Sequence, residues 1–454
     1  MRSSNLTRRN FIRKGIASSA IISSGMSTSL IAGSQRNEIT VINPRNRVPV
    51  SLIIDDSTAL VNMAYFGIPQ FKEIFPDQYK QDWKILPREI PDDFVREFRD
   101  WCGENGVKGK YSMVPYPACT GWLHRFIPGW TQKDLDESLK LVRETMTPNW
   151  DIHPEMISHT RVINTRTGQP YPIATADYME NWEWSQNKSA DELANYIAYA
   201  LNILKEAGFT CAGMTTPGGF GSKNMENLAL GTLEALRSVY KTEIPHFFRD
   251  VITDPAKSVE PQLFHVSGLD TEDPRCSVHI IGCTNDWFGG WDGLKPGNPD
   301  KCITLDLSKG RMVEVIDKQE PAIMVCHWPG IYFNGVKIGF NILKDVVQRL
   351  SEKYDNLYWM TLSEISRYWA AKNLTRIDMV DKKVRFAAPF GVKEFTVKLD
   401  KKIRGAEFTS AGEEKVLEKR NNRLEINAWT HFIDKNESIL CFNLPKGESE
   451  IVLN

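Results

Sequence analysis

The chain has 454 residues, of which 41% are hydrophobic and 25% are charged, and its formal net charge is −1. This ordinary globular composition excludes a disordered, collagen-like or coiled-coil protein. The first 33 positions hold five basic residues and no acidic one, so the remainder of the chain is acidic overall. A chain with this excess of acidic residues does not have the basic surface that binding to phosphate groups requires, which excludes nucleic acid as a partner.

The N-terminus has the pattern of an export signal. Residues 7–13 match the twin-arginine motif, a Ser/Thr-Arg-Arg-x-Phe-hydrophobic-basic run. The serine-rich stretch that follows, to residue 33, is too polar and too short for a membrane-spanning helix. We therefore predict that residues 1–33 are a twin-arginine signal peptide. The predicted location is the periplasm or the cell exterior, with no stable membrane anchor.

Strands and helices alternate from residue 48 to residue 371. The predicted strands are 48–54, 110–114, a short segment before His153, 210–214, 277–281, 322–326 and 357–360. The predicted helices are 92–104, 131–147, one that opens at the capping box of Ser189 and Glu192, 225–240, 342–354 and 363–371. Alternation implies parallel strands with crossover helices. Seven or eight such units fit a (β/α) barrel better than an open sheet, because no glycine-rich phosphate turn follows the first strand.

The pattern changes after residue 373. Residues 383–386, 394–399, 423–426 and 438–442 alternate apolar and polar side chains, with no helical pattern between them. Such segments are typical of strands. The sequence thus predicts an α/β barrel domain over residues 40–372, followed by a small, all-β, sandwich-like domain over residues 373–454.

The eight cysteines leave their oxidation state open. No two of them have the C-x-x-C spacing of a zinc knuckle or redox motif. In an oxidising compartment Cys276, Cys283 and Cys302 are close enough in sequence to pair. A chain of this size can equally keep them as buried free thiols.

Polar residues follow several of the predicted strands. Asp55 and Asp56 end the first strand, His153 and His159 follow the third, and His327 ends a late one. In a parallel barrel, functional residues gather at the carboxyl ends of the strands. We therefore expect His327 at the barrel mouth, opposite Asp55.

These segments resemble the motifs of the polysaccharide deacetylase (NodB-like) superfamily. The resemblance covers residues 48–370 and lies in the Asp-Asp of residues 53–57, the Glu-x-x-x-His-Thr of 153–160, the Pro turn of 216–219, the Cys-His-Trp of 326–328 and the closing segment 358–365. It implies a barrel of the deacetylase type. It also implies that Asp55 is the catalytic base, that Asp56 and His159 bind a metal, and that His327 is the general acid.

The chain departs from the family pattern at two positions. Ile163 stands where the family has a second metal-binding histidine, four residues after His159, and Thr216 stands where it has an arginine. A catalytic zinc normally has three protein ligands, so a third must come from His153, Glu155 or elsewhere. The predicted set is Asp56, His159 and His153, for one divalent ion such as zinc.

An incomplete metal set favours acid–base chemistry over metal-driven hydrolysis. Asp55, His327 and His159 could eliminate water from a uronic-acid oligosaccharide, with Arg161 or a metal stabilising the charge on the carboxylate. In this the chain resembles deacetylase-fold oligosaccharide dehydratases of ulvan breakdown. The alternatives are a metal-dependent deacetylase, a glycoside hydrolase with a carboxylate pair drawn from Asp55, Glu155 and Glu183, and an inactive sugar-binding barrel.

Aromatic residues support a carbohydrate partner. Trp182, Trp287 and Trp291 lie in segments rich in Gly, Asn and Asp, and Tyr116 follows a strand between two prolines. Flat rings beside polar groups suit sugar faces. The same rings could instead pack the outer seams of the barrel. The predicted substrate is therefore an oligosaccharide or polysaccharide.

Overall fold

Helices and strands alternate along residues 48–374 of the computed structural model, which describes residues 39–454. The helices are α1 (Met63–Ile74), α2 (Asp92–Glu104), α3 (Gln132–Thr145), α4 (Ala190–Glu206), α5 (Met225–Tyr240), α6 (Arg311–Asp317), α7 (Trp328–Tyr332), α8 (Ile338–Lys353) and α9 (Leu362–Leu374). The strands are β1 (Ile39–Val41), β2 (Val48–Asp55), β3 (Gly109–Ser112), β4 (Trp150–His153), β5 (Ile163–Asn164), β6 (Gln169–Pro170), β7 (Gly213–Thr215), β8 (His246–Val251), β9 (Gln262–Ser267), β10 (Arg275–Gly282), β11 (Ala322–His327) and β12 (Leu357–Trp359). The predicted signal peptide lies outside the described residues.

Helix α4 shows how local sequence sets the elements. The side chain of Ser189 accepts the backbone N–H of Glu192, and the Glu192 carboxylate accepts the N–H of Ser189, which is the predicted capping box. One face of α4 is buried against α5, where Gly231 allows close approach to Leu193. No helix described between residues 39 and 454 has the length and apolar character that crossing a membrane requires.

The strands of residues 48–359 form two largely parallel sheets. One has the order β11-β2-β3-β4, with β12 paired to the start of β2, and the other has the order β7-β8-β10-β9, in which only β9 is antiparallel. Every residue of β2 is buried, as expected for a strand covered on both faces. The prediction of a mixed α/β fold with parallel strands is confirmed. Among the described strands, however, the two sheets are not joined by strand pairing into one closed barrel.

Residues 376–453 form strands β13 (Arg376–Val380), β14 (Lys383–Ala388), β15 (Val392–Leu399), β16 (Ala406–Ser410), β17 (Glu413–Val416), β18 (Glu418–Arg420), β19 (Thr430–Asp434), β20 (Glu437–Leu444) and β21 (Gly447–Leu453). They belong to two five-stranded sheets, β13-β14-β21-β16-β17 and β1-β15-β20-β19-β18. Phe386 and Phe408 of the first sheet contact Phe442 of the second, each with ring centroids 5.3 Å apart. The two sheets therefore share an aromatic core.

Two details differ from the sequence prediction. The predicted strand at 423–426 is wrong, because the Asn422 side chain accepts the N–H of Leu424 and the segment forms a 3-10 turn, Arg423–Glu425. The predicted barrel domain began at residue 40. Strand β1, at residues 39–41, instead pairs antiparallel with β15 and so belongs to a sheet of the C-terminal segment. Residues 39–454 form one compact unit, and their division into two domains stays a prediction.

All eight cysteines lie in the described part of the chain and are free thiols. Seven are buried and Cys119 is partly exposed. Burial raises the pKa of Cys276 and Cys283 to about 12, so both remain protonated at neutral pH. The structure therefore has the free-thiol state that the sequence left open.

Candidate active site

The ends of β2 and β11 place a carboxylate and an imidazole next to each other. Asp55 is the last residue of β2, His327 is the last residue of β11, and the two are register partners in the parallel pair. Register partners direct their side chains to the same face of a sheet. Sequence analysis placed His327 opposite Asp55. This placement is wrong: the two residues lie side by side on neighbouring strands, because β11 pairs directly with β2.

Asp55 is buried beside a cation. The Lys110 ammonium, which is 0% exposed, contacts Asp55 Oδ1 and donates hydrogen bonds to the Ile54 carbonyl (3.0 Å) and Ser112 Oγ (2.8 Å). Burial raises the pKa of Asp55 to about 6, although the positive charges of Lys110 and His327 oppose the rise. Asp55 is therefore a stronger base than an ordinary carboxylate.

His327 has its own carboxylate partner. Its Nδ1 lies 2.5 Å from Oδ1 of Asp286, in the loop after β10, and about a fifth of each side chain is exposed. Burial lowers the pKa of His327, but the negative charge of Asp286, with Asp56 and Asp55 beyond it, raises the pKa to about 10. His327 is thus an imidazolium at neutral pH, with a proton to donate.

The Asp286→Asn variant tests the cause of this shift. Removing the nearest negative charge takes away the largest influence that stabilises the protonated ring, so we expect the pKa of His327 to fall toward the ordinary value of about 6.5. The measurement is an NMR titration of the histidine ring protons, with the wild-type protein as reference. An unchanged titration midpoint would contradict the assignment of Asp286 as the partner.

A second group lies at the same edge of the sheet: Asp56, Glu155 and His159. Nε2 of His159 lies 2.7 Å from Asp56 Oδ1 and 3.2 Å from Glu155 Oε1, and Glu155 Oε2 accepts the Asp56 N–H at 2.8 Å. All three residues are buried. Burial opposes the charge on each group, but the carboxylates of Asp56 and Glu155 raise the pKa of His159 well above its ordinary value. The positive charge of His159 in turn lowers the pKa of Glu155 to about 2.

This group fits a divalent cation. Its ligand atoms all lie within 4.8 Å of one another, and the buried Asp56 Oδ1 contacts His159 Nε2 at 2.7 Å without the alignment of a hydrogen bond. Two ligands on one tetrahedral ion lie roughly 3.3 Å apart, close to the distances from His159 Nε2. Two carboxylates and an imidazole suit zinc and similar ions. Glu155, four residues before His159, is the third residue of this candidate ligand group, a position that the sequence did not fix.

His153 does not join this group, which corrects the predicted metal set. It lies instead with Asp151 and His246, its Nε2 3.0 Å from His246 Nε2 and its Nδ1 3.3 Å from Thr215 Oγ1. Side chains alternate along a strand, so 151 and 153 on β4 share a face. Gly213 makes room for the imidazole pair, since a Cβ there would lie 2.5 Å or less from both Nε2 atoms.

Burial keeps both rings of this pair neutral. It lowers the pKa of His246 to about 3 and that of His153 well below the ordinary value. Two neutral rings this close share one N–H···N hydrogen bond, so one Nε2 donates and the other accepts. The two Nε2 atoms therefore satisfy each other inside the fold.

Glu180 fixes the turn that presents His159. Its carboxylate accepts the backbone N–H groups of Ile157 (3.2 Å), Ser158 (3.1 Å) and His159 (2.6 Å), and the hydroxyl of Tyr196 (2.6 Å). His159 itself has a left-handed backbone, with φ of 65°, which this network supports. Burial raises the pKa of Glu180 to about 7. Glu180 belongs to no sequence motif and was not predicted as a site residue.

The predicted substrate residues lie in packed surroundings. Trp182 contacts Phe75 with ring centroids 4.7 Å apart, and Trp291 contacts Tyr79 at 6.1 Å. Both tryptophans also contact Phe71 of α1, at 5.5 and 6.0 Å, so a buried ring of this helix joins loop residues in one aromatic cluster that is partly exposed.

The other three predicted residues have separate partners. Tyr116 stacks on Trp122 at 4.0 Å, and Trp287 lies 5.9 Å from the Lys301 ammonium. The Arg161 guanidinium pairs with Glu73. Its predicted role, to balance charge on a substrate carboxylate, would require this ion pair to open.

The Glu155→Gln variant tests the cation group independently of any reaction. Replacing an anionic ligand by a neutral amide should weaken zinc binding by about 10²-fold or more, since the ligand charge is lost. Isothermal titration calorimetry of the purified protein measures this. Glu183→Gln is the matched control, because Glu183 is exposed and pairs with Lys223 at 3.3 Å. Equal affinity in the two variants would remove Glu155 from the ligand set.

The chain was compared with protein families, curated proteins and solved structures. No family model and no curated protein matches the sequence. Among solved structures it is similar to one described as a polysaccharide deacetylase from Pseudomonas aeruginosa PAO1, with 10% identity, 72% of this chain and 91% of that chain covered, and a TM-score of 0.37. It is also similar to one described as a glycoside hydrolase/deacetylase from Parabacteroides distasonis, with 12% identity, 83% and 85% covered, and a TM-score of 0.39. It is also similar to the structure of an allantoinase, with 9% identity, 72% of this chain and 91% of that chain covered, and a TM-score of 0.37.

Proposed function

We propose that the protein is a carbohydrate-active enzyme that removes acetyl groups by cation-assisted hydrolysis, with Asp55 as general base and His327 as general acid. The observation that carries the proposal is the pairing of these two residues at adjacent strand ends, each with its own counter-charge, beside a complete three-ligand group. From the sequence, a reaction without strong metal assistance was preferred because a third ligand was missing. Glu155 removes that objection.

The roles of the side chains follow from their charges. Asp55 accepts a proton from the attacking water as its oxygen bonds to the acetyl carbon, and His327 donates its proton to the departing amine or alcohol. The bond from the acetyl carbon to the sugar nitrogen or oxygen breaks, and acetate is released. Asp56, Glu155 and His159 would hold a divalent ion, which supplies Lewis-acid polarisation of the acyl oxygen when bound.

The aromatic cluster supports a carbohydrate substrate. Trp182 and Trp291 are partly exposed, and they come from loops that follow Glu180 and Asp286, residues that hold the site together. Partly exposed rings beside polar groups suit the apolar faces of sugars.

Elimination of water from a uronic-acid end, as in breakdown of a polysaccharide such as ulvan, is the second candidate. The observation that favours it is the raised pKa of Asp55, because removal of a carbon-bound proton needs a stronger base than an ordinary carboxylate. Asp55 would take the C5 proton, and His327 would protonate the C4 oxygen as its bond to carbon breaks.

Two assays on one preparation separate these reactions. Acetate release from acetylated oligosaccharides, lost on chelation and restored by zinc, supports the deacetylase. Ultraviolet absorbance of a conjugated product from uronic-acid oligosaccharides supports elimination instead. Saturable sugar binding without either product would overturn both and leave the other two alternatives, a glycoside hydrolase and a sugar-binding barrel.

We also infer that the two parallel sheets act as one barrel in the order β2-β3-β4-β7-β8-β10-β11, followed by an all-β domain. Single hydrogen bonds at both sheet edges support this: the Thr215 N–H donates to the Pro154 carbonyl (2.9 Å), and the Cys283 N–H donates to the Ile323 carbonyl (2.8 Å).

Export to the periplasm by the twin-arginine route remains part of the proposal. It is tested by locating a tagged full-length chain and its Arg8→Lys, Arg9→Lys variant in cell fractions.

A further inference from the structure

Lys110 is a charged residue in a position where charges are rarely found. It lies in the centre of β3, and its side chain is fully buried. A lysine is almost never completely buried unless it is paired, because removing the ammonium from water is costly. Its role therefore depends on its partners.

The ammonium has a complete set of acceptors. It has three N–H donors, and its three partners are Asp55 Oδ1, the Ile54 carbonyl and Ser112 Oγ. Two of these acceptors belong to the end of β2, the strand that presents Asp55. Since all three donors are used, the ammonium is fixed in place rather than free to contact a substrate.

The reach of the side chain fits this arrangement. Lys110 is the register partner of Ile53 in the parallel β2–β3 pair, so its four-carbon stem spans the two residues to Asp55. Thr216, which directly follows β7, carries no charge, and its hydroxyl donates to the Phe248 carbonyl at 3.3 Å. Lys110, on β3, is therefore the cation that contacts the Asp55 carboxylate directly, in addition to the positive charge of His327 on β11.

We propose that Lys110 is the positioning residue of the general base: it holds Asp55 through Oδ1 and leaves Oδ2 to accept the proton. This role rests on the proposed function, because it acts only through Asp55. Lys110 does not touch the reacting atoms. It orients one carboxylate oxygen toward them and keeps a positive charge beside the other.

A double-mutant cycle of Lys110→Met and Asp55→Asn tests the role. We expect Lys110→Met to lower kcat by about 10²-fold while KM changes less than about threefold, since the base is misplaced and the substrate contacts are kept. In the Asp55→Asn background the same change should cost almost no further activity, because the residue through which Lys110 acts is already gone. Zinc affinity, measured by calorimetry, should be unchanged in Lys110→Met.

Two further variants complete the design. Lys108→Met is the matched control, because Lys108 is partly exposed, pairs with Glu364 at 3.4 Å, and lies two residues before Lys110. It should leave kcat at the wild-type value. If Lys110→Met does not fold, Lys110→Gln keeps a hydrogen-bond donor at the position and replaces it in the cycle.

The possible failures are distinguishable. A wild-type protein that is inactive in both assays overturns the proposed function, and this role with it. Suppose instead that the wild-type protein is active. If the fold-losses in kcat of the two substitutions multiply in the double variant, or if Lys110→Met raises KM alone, the role of Lys110 is overturned and the proposed function stands.

Discussion

The His327→Ala variant is expected to lose about 10²- to 10⁴-fold in kcat/KM, the usual contribution of a positioned general acid. Asp286 keeps the imidazole protonated at neutral pH, and alanine has no proton to give. About a fifth of the His327 side chain is exposed, so its removal opens no large internal cavity. The measurement is the initial rate of whichever product the wild-type protein releases, together with a thermal melt of each variant.

His265→Ala is the matched control for this experiment. His265 is exposed to a similar extent, 25%, and lies on β9, where its ring bonds to the Glu226 carbonyl at 2.8 Å. It should retain wild-type turnover. Full turnover in His327→Ala, or a loss of activity explained by unfolding alone, would show that His327 is structural and that the proposed acid is wrong.

The sequence predicted those elements whose local pattern is unambiguous. The bounds of α2 and α5 agree with the prediction, since each has apolar residues at helical spacing and clear ends. Residues 423–426 show the limit of this reasoning. Their alternation fits a strand, but the side chain of Asn422 satisfies the Leu424 N–H and turns the chain instead.

The candidate site was predicted in its principal residues and missed in their partners. Asp55, Asp56, His159 and His327 lie at or after strand ends, and the family resemblance gave each of them its predicted role. Lys110 and Asp286 could not be found this way, because they lie 55 and 41 residues from the side chains that they contact. Pairing over such separations is set by strand order and register, which one sequence does not display.

Glu155 shows the same limit in another form. It was one of two candidates for the third ligand, and His153, only two residues away, was the one chosen. Both are buried, and both residue types bind metal. The outcome depends on β8, a strand that the sequence analysis did not predict, because its first residue, His246, engages His153.

The Asp55→Asn variant is expected to lose both turnover and stability. An amide cannot serve as the base, so kcat/KM should fall by about 10²- to 10⁴-fold. The same change leaves the Lys110 ammonium buried without its counter-charge, which typically costs about 3–5 kcal/mol in the free energy of unfolding. Product assays and denaturant unfolding measure the two effects separately. Asp92→Asn is the control, since Asp92 is a partly buried carboxylate whose partner, Ser138, lies on α3.

A loss of both quantities would not by itself distinguish a catalytic residue from a structural one, and the double variant Asp55→Asn, Lys110→Met resolves this. Replacing both members of a buried ion pair by uncharged side chains removes the unpaired charge, so most of the lost stability should return. Turnover should not return, because the base is still absent. Recovery of turnover together with stability would mean that Asp55 acts only by pairing with Lys110, and the proton would then have to be taken by another group.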